Sequence, residues 1–313
     1  MTTREIVLQL LEDNRGLFVS GEMLAKRACV SRTAVWKAVS SLEREGYVIE
    51  GVSRRGYRLV TKDVFTKDEI GKYLRDIPFY FFDEIDSTNT ECKRKLNEGA
   101  RAPFVCIARC QSGGRGRRGR SFVSAEGGIY FSIALPANGS FDTELVTTRA
   151  ATGIARAIES LGFSVGIKWV NDLFVNGKKV VGILTEGVVN LEENCISDVI
   201  IGIGTNYTTR TFPEDLQNIC TSLFPDSEAP LSRSEFAARE IEETIRSIYD
   251  PNYLEEYRRR CFVLGKEVMV LKMNASIPAT AIDLDERAHL VVRYADGSIE
   301  HLSSGEVSIR STL

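Results

Sequence analysis

The stretch DLFVNGKKVVGILTE, Asp172 to Glu186, constrains this chain more than any other. Two apolar runs flank an Asn-Gly pair. A two-residue type I′ turn demands such a pair, because both of its central positions need positive φ. A β-hairpin in the middle of the chain follows. VIIGIGTN reads as a further buried strand, and FYFFDEI, PFVCIARCQ and GGIYFSIAL read as strands before it, the last with alternation. Strands that come mostly as hairpins build a mixed sheet rather than repeated βαβ units. Two nucleotide-binding folds drop out on the same ground. Gly202-x-Gly204 begins a dinucleotide fingerprint, but Tyr207 stands at the third glycine, and GxxxxGK[ST] occurs nowhere.

The sheet has helices and two smaller neighbours. Val146, Ala150, Ile154, Ile158 and Leu161 form one apolar helical face. Thr88 and Glu91 read as a capping box at a strand-to-helix turn. At 313 residues, 43% of them hydrophobic, the chain suits two or three domains. Residues 1–62 carry eleven Lys and Arg against seven Asp and Glu, a charge of +4, while the rest carries −7. A small basic segment on a larger acidic body implies two tasks. In that segment Ser20 and Ser31 can cap two short helices. Val35, Val39 and Leu42 then face inward, and Arg32, Thr33, Trp36, Lys37 and Ser40 face outward. Two β-like runs joined by GVSRR complete a winged helix-turn-helix. Arg54 and Arg55 in its wing suit DNA phosphates and the second helix suits the major groove, although three-helix units of this size also serve as protein-contact modules. From Gly265 onward short alternating strands, with Asp296-Gly297 as a hairpin turn, read as an SH3-like β-barrel. The fold class is α+β: winged helix over 1–62, a mixed-sheet domain over 66–262, and the small barrel over 265–313.

Chemistry concentrates in a few places. GRGRRGR, Gly114 to Arg120, joins two strands, so it is anchored at both ends. Glycine lets the backbone approach an anion closely and arginine supplies planar multidentate donors. Nucleic-acid backbone, nucleotide phosphate and plain solvent all remain as occupants. Ser87, Thr88 and Asn89 are either ordinary helix caps or partners for a small polar ligand. Lys179 is either a hairpin gatekeeper charge or a cation aimed at carboxylate or phosphate, with Lys168, Asn171 and Asp172 nearby. Two histidines and seven scattered cysteines without a CxxC pair argue against a zinc site, a disulfide framework and Ser-His-Asp or Cys-His catalysis. No metal ligand set is expected. MTTREIVLQL has charges where a signal peptide needs an apolar core, and no apolar run approaches a membrane span. A reduced, cytoplasmic protein is expected.

IDSTN, QSGGRGRRGR, KWVNDLFVNGKKVVGILTE and IGIGTN, in this order and spacing, resemble the bacterial biotin protein ligases. The two flanking domains extend the resemblance over essentially the whole chain, and to the bifunctional class that also represses the biotin operon. The resemblance implies that biotin and ATP, with Mg²⁺, form biotinyl-5′-adenylate, and that biotin passes to a lysine of a carboxylase carrier domain. It implies biotin as substrate and corepressor, operator DNA as partner, a homodimer formed through the central sheet edge, and no membrane. By position Ser87, Thr88, Asn89, Gln111, Arg115, Arg117, Lys179, Gly182 and Gly202 fall on the biotin side. Gly114, Arg115, Arg117, Arg118, Arg120, Phe122, Asn171, Asn206 and Arg310 fall on the ATP and adenylate side. Lys179, Arg117 and Asp172 are the catalytic candidates, Asp172 as helper in deprotonating the acceptor lysine. The chain departs from the family at Val170, where proline is usual, and at Ser121 and Phe122, where a basic residue and tryptophan are usual. A lipoate-type ligase, a biotin-sensing repressor without catalysis and a ligase that no longer binds DNA are the alternatives.

Overall fold

The computed structural model describes residues 2–14, 16–44, 47–61, 64–190, 192, 194–226, 229–272, 275–303 and 306–309. They fall into two compact units, 1–75 with 227–237 and 76–226 with 238–313.

In the first unit α1 (Thr3–Asp13), α2 (Gly21–Ala28) and α3 (Arg32–Arg44) precede the antiparallel pair β1 (Val48–Val52) and β2 (Gly56–Thr61), and α4 (Lys67–Tyr73) follows. Each start has its cap. The Ser20 hydroxyl accepts from Met23 N–H at 3.1 Å and that of Ser31 from Ala34 N–H at 3.2 Å, which satisfies amides that the first helical turn leaves unpaired. Val7, Leu11, Leu24, Val35, Val39 and Leu42 form the core. The opposite face of α3 is left to solvent: Trp36 is 58% exposed, Arg32, Thr33 and Lys37 are exposed, and Ser40 is half-buried. Arg32 pairs with Glu22 of α2 at 2.9 Å. Val19 bridges Tyr57 beside the β1–β2 hairpin. Arg54 and Arg55 are exposed at its turn, and the Arg55 guanidinium lies 4.4 Å from the centre of the Phe18 ring. The charges predicted for the wing are therefore presented at its tip.

The second unit is built on a seven-stranded sheet. Its strands are β3 (Phe79–Ile85), β4 (Phe104–Gln111), β5 (Gly128–Pro136), β6 (Gly166–Lys168), β7 (Asp172–Val175), β8 (Lys178–Asn190) and β9 (Cys195–Asn206), in the order β3-β4-β5-β9-β8-β7-β6. Only β3 and β4 pair in parallel; all other neighbours are antiparallel. The predicted turn forms at Asn176 and Gly177, with φ of 50° and 75°. The alternation expected for β5 is not its burial pattern: eight successive residues from Gly128 are buried. A strand central to its sheet is covered on both faces, so both sets of side chains become core. Helix α5 (Thr88–Asn97) packs on β4, β5 and β9, and α6 (Val146–Glu159) on β7, β8 and β9.

Two further helices follow, α7 (Arg233–Ile248), whose residues from 238 onward belong to this unit, and α8 (Tyr253–Arg260). Arg156 of α6 pairs with Asp250 and Glu256, and Arg260 pairs with Glu159 and Glu256, which locks α8 against α6. The C-terminal strands β10 (Glu267–Lys272), β11 (Ala275–Leu284), β12 (Leu290–Tyr294), β13 (Ile299–Leu302) and β14 (Glu306–Ile309) form an antiparallel sheet in the order β13-β12-β11-β10-β14. Among the described residues no helix is long and apolar enough to cross a membrane.

A buried carboxyl on α7 has a measurable consequence. Glu240 is fully buried; its Oε1 accepts from the Thr205 hydroxyl of β9 at 2.6 Å, and its Oε2 has no partner among the described residues. Burial pushes the carboxyl up from 4.5 to about 8, against the smaller opposing effect of the Thr205 hydrogen bond. Between those two values the unfolded chain has released a proton that the folded chain keeps, so stability falls as pH rises through that window and levels off above it. A tenfold difference in proton affinity between the two states corresponds to about 1.4 kcal/mol. Glu240→Gln is neutral throughout. Its urea midpoint is expected to fall less than that of the wild type between pH 5 and pH 8.5, leaving the variant more stable at the upper end by on the order of a few kcal/mol. Equal pH slopes for the two proteins would contradict this account.

Candidate active site

The chain between β4 and β5 carries the arginine-rich loop. Gly116 N–H donates to Arg120 C=O at 2.7 Å, and a bridge joins Arg115 to Ser121. A single 3₁₀ turn spans Arg117–Gly119, with Arg118 left-handed at φ 57°. The loop folds as a small closed hairpin along one side of a cleft of about 970 Å³, counted with its open mouth.

The cleft floor is glycine. Gly182 of β8 and Gly204 of β9 are register partners, and Gly202 lies two residues before Gly204. A Cβ on Gly202 would stand 2.0 Å from Asn89 Oδ1. On Gly182 or Gly204 it would stand 2.8 or 2.4 Å from the Phe122 ring. An amide and an aromatic ring thus rest directly on bare strand backbone, an approach that any side chain would prevent.

One end of the cleft is neutral and polar. Strand β3 delivers the chain to the start of α5, where the capping box expected of Thr88 and Glu91 does not form. Ser87 is the N-cap, without a side-chain cap bond. Thr88 instead gives both its N–H and its hydroxyl to Gln111 Oε1, at 2.8 and 3.1 Å, because Gln111 at the end of β4 lies against this turn. Glu91 is turned to Arg94 and Lys95. Gln111 Nε2 donates to Ser124 Oγ at 2.8 Å. The buried Ser132 hydroxyl of β5 lies 2.7 Å from Thr88 Oγ1 and 2.6 Å from Asn89 Oδ1. Hydroxyls and amides fixed by one another present donors and acceptors without net charge, which suits a compact neutral head group.

The other end is charged. Lys179 Nζ and Asp172 Oδ1 are 2.7 Å apart, each side chain about a quarter exposed. They come from adjacent strands, and Asp172 is also the register partner of Gly182. The Lys179 backbone bonds Ile219 C=O at 2.9 Å and Thr221 N–H at 3.0 Å, so the segment after β9 flanks this lysine. Asn171 Nδ2 donates to Ile183 C=O at 2.8 Å. The Trp169–Val170 peptide is cis. Tyr257 of α8, fully buried and pushed well above the usual phenol range by that burial, donates its hydroxyl to Val170 C=O at 3.0 Å. Trp169 Nε1 donates to Ala288 C=O at 3.0 Å. The departure at Val170 leaves Lys168, Trp169, Asn171 and Asp172 all on the cleft wall.

Of the residues singled out from the sequence, Ser87, Thr88, Asn89, Gln111, Arg115, Arg117, Arg118, Arg120, Phe122, Asn171, Asp172, Lys179, Gly182 and Gly202 line this one cleft. Gly114 and Asn206 do not. Gly114 packs behind the loop, where a Cβ would meet Phe122 O at 2.4 Å. Asn206 is buried, its carbonyl accepting from Leu223 N–H at 3.0 Å. Arg310 lies outside the described residues. The sequence reading passed over Ser132, Gly204, Ile183 and Leu184. It also passed over Glu186, whose carboxylate reaches Asn89, Lys93 and Arg115. A serine inside the apolar run GGIYFSIAL was the one local signal for Ser132. Among the described residues no group of three or more His, Cys, Asp or Glu could hold a metal ion. Asp172 is the acidic side chain on the described cleft wall, and it is already paired. The donor set does not fit a resident cation.

Known proteins supply the remaining comparison. The biotin/lipoate A/B protein ligase family matches residues 81–206, an HTH domain matches 3–58, and the biotin protein ligase C-terminal domain matches 263–310. The bifunctional ligase/repressor BirA of Bacillus spizizenii is 30% identical over 98% of this chain and 99% of that protein. Its namesake from Bacillus subtilis is 36% identical over 71% of each. A biotin protein ligase from Aquifex aeolicus, solved in complex with biotin and ATP, superposes with a TM-score of 0.63 at 25% identity, covering 74% of this chain and 98% of that one.

Proposed function

We infer the reaction from membership: the chain belongs to the biotin protein ligase family, in the class of bifunctional ligase/repressors. It joins biotin to ATP and hands the activated biotin to a lysine of a carboxylase carrier domain. The observation that carries this reading is the cleft itself, in which a neutral polar end and a basic end share one glycine floor. The ureido head of biotin suits the Thr88, Asn89, Gln111 and Ser132 end. Its carboxylate then lies toward Lys179 and the loop arginines. ATP brings Mg²⁺ with its phosphates, as substrate rather than resident cofactor.

The chemistry asks little of a proton carrier. A biotin carboxylate is ionised and attacks the α-phosphorus directly; the new acyl–phosphate bond forms as the α–β bridge breaks and pyrophosphate leaves. Positioning and neutralisation of charge are the whole task, and Lys179, Arg115 and Arg117 supply both. In the second step the acceptor amine attacks the acyl carbon, an amide forms, AMP leaves and the amine loses a proton. Asp172 stands where it can take that proton once Lys179 has turned to the ligand. Phe122, lying on Gly182 and Gly204, is the aromatic surface for the base in place of the family's tryptophan.

The exposed face of α3 and the wing arginines support operator binding, with biotin as corepressor and a homodimer as the binding form. DNA from upstream of biotin-synthesis genes, titrated with protein in the presence of biotin and ATP, is expected to bind with a salt-dependent affinity that Arg54→Ala and Arg55→Ala each lower. For the enzyme, the protein is mixed with biotin, MgATP and a carboxylase carrier domain, with lipoate as control. Pyrophosphate release and a biotin-sized gain in carrier mass are expected. Mass gain with lipoate and none with biotin would replace this reading by the lipoate alternative.

A further inference from the structure

Glu186 stands at the end of the hairpin stretch and is absent from the cleft wall, yet two of its hydrogen-bond partners, Asn89 and Arg115, line that wall. Its side chain, 22% exposed, lies on β8 between α5 and the arginine loop. Oε1 receives Lys93 Nζ at 2.7 Å. Oε2 receives Asn89 Nδ2 at 2.8 Å and Arg115 Nη2 at 3.3 Å. Arg115 also reaches Thr90 Oγ1 at 3.2 Å.

These contacts decide two orientations. Asn89 carries a donor and an acceptor end of nearly equal shape, so its neighbours choose which end points where. Glu186 Oε2 and Leu184 C=O, at 3.3 Å, are both acceptors and draw the Nδ2 end. Oδ1 is thereby left facing the Ser132 hydroxyl and lies directly over Gly202. Arg115, at the start of the loop, is tied to the same oxygen that fixes Asn89. Lys93, away from the cleft, holds the other oxygen and so aims the pair. Burial pulls this carboxyl upward, but the hydrogen bonds from Lys93 and Asn89 and the charges of Lys93 and Arg115 outweigh it, and Glu186 sits below the ordinary carboxylate range.

We propose that Glu186 is a positioning residue: one carboxylate, aimed by Lys93, sets the amide of Asn89 on the cleft floor and anchors Arg115 of the loop, so that the polar end of the cleft and the loop form one preset surface. It acts through these neighbours and touches no substrate. The inference rests on the ligase reading for its kinetic arm only, and its second arm needs no catalysis.

Glu186→Gln keeps the shape, but its amide cannot accept from Lys93 and from Asn89 with Arg115 at once. Lys93→Met frees the carboxylate to swing without altering the cleft wall. Both variants are compared with the full-length wild type for biotin KM, ATP KM and kcat, and for the rate at which trypsin cuts within Gly114–Arg120 without ligand. Glu186→Gln is expected to raise biotin KM by about tenfold or more with kcat changed less than threefold, and to speed loop cleavage severalfold. Lys93→Met is expected to move both readouts the same way and less. Unchanged biotin KM with unchanged loop cleavage in Glu186→Gln would overturn the proposal. So would a loss confined to kcat, or an ATP KM that rises as much as that for biotin. If the wild type forms no biotin adenylate, the ligase reading fails, while loop cleavage still decides whether Glu186 anchors Arg115.

Discussion

Lys179→Met is expected to lower biotin-dependent pyrophosphate release about a thousandfold, the upper range for removing one preorganised group that meets developing charge. In the reaction proposed, a carboxylate approaches an α-phosphate, and two anionic groups must be brought together. Lys179 is held for that task from two sides: its backbone is pinned between Ile219 and Thr221, and its ammonium lies 2.7 Å from Asp172. Methionine matches the stem but removes the charge, so Asp172 is left uncompensated beside the incoming carboxylate and adds repulsion. Lys179→Arg retains the charge and is expected to recover little, because a planar guanidinium places its donors differently from a compact ammonium. The measurement is initial rate at saturating biotin and ATP, with folding checked by the thermal midpoint. A variant within tenfold of the wild type would remove Lys179 from the catalytic role.

Gly202→Ala is expected to raise biotin KM at least tenfold, the second large effect. The new methyl would stand 2.0 Å from Asn89 Oδ1. Asn89 cannot yield easily, since its two ends are held by Ser132 and by Glu186 with Leu184. Either the amide leaves the floor or the strand shifts, and both destroy the polar end of the cleft. Overpacking of this kind costs about 1–3 kcal/mol of stability, so the thermal midpoint should drop with it. Gly187→Ala, on the neighbouring strand β8, is the control: its Cβ would meet Ile196 at an ordinary 3.5 Å. Binding of biotin by Gly202→Ala at wild-type affinity in calorimetry would show that the glycine is not needed for close approach.

Much of this site could be read before any fold was known. The Asn-Gly pair dictated its hairpin and the pairing of Phe174 with Lys179, but a register shift between Leu173 and Phe174 then moves Asp172 opposite Gly182, which the turn alone does not fix. The loop between β4 and β5 announced its chemistry through four arginines spaced by glycine. The capping box at Thr88 was misread for a physical reason. A hydroxyl at a helix start has a local partner by default, and only the return of β4 beside it offers Gln111 as a better one. Ser132 and Glu186 were passed over for a related reason. Ser132 sits in an apolar strand, and Glu186 follows the apolar run of β8, and neither has a partner within forty residues among the hydrogen bonds that join it to the site.

The sequence by itself determined the local grammar of this protein: which segments are strands or helices, where turns fall, and which residue types can neutralise an anion. Those follow from steric and hydrogen-bond preferences that act over a few residues. Only the tertiary structure decided what meets what. The glycines of β8 and β9 became a floor because antiparallel pairing set Gly182 beside Gly204. One carboxylate could serve helix, strand and loop together because strand order in the sheet brings segments about seventy to one hundred residues apart within hydrogen-bond reach. Such contacts depend on register and packing across the sheet, which no short-range preference encodes.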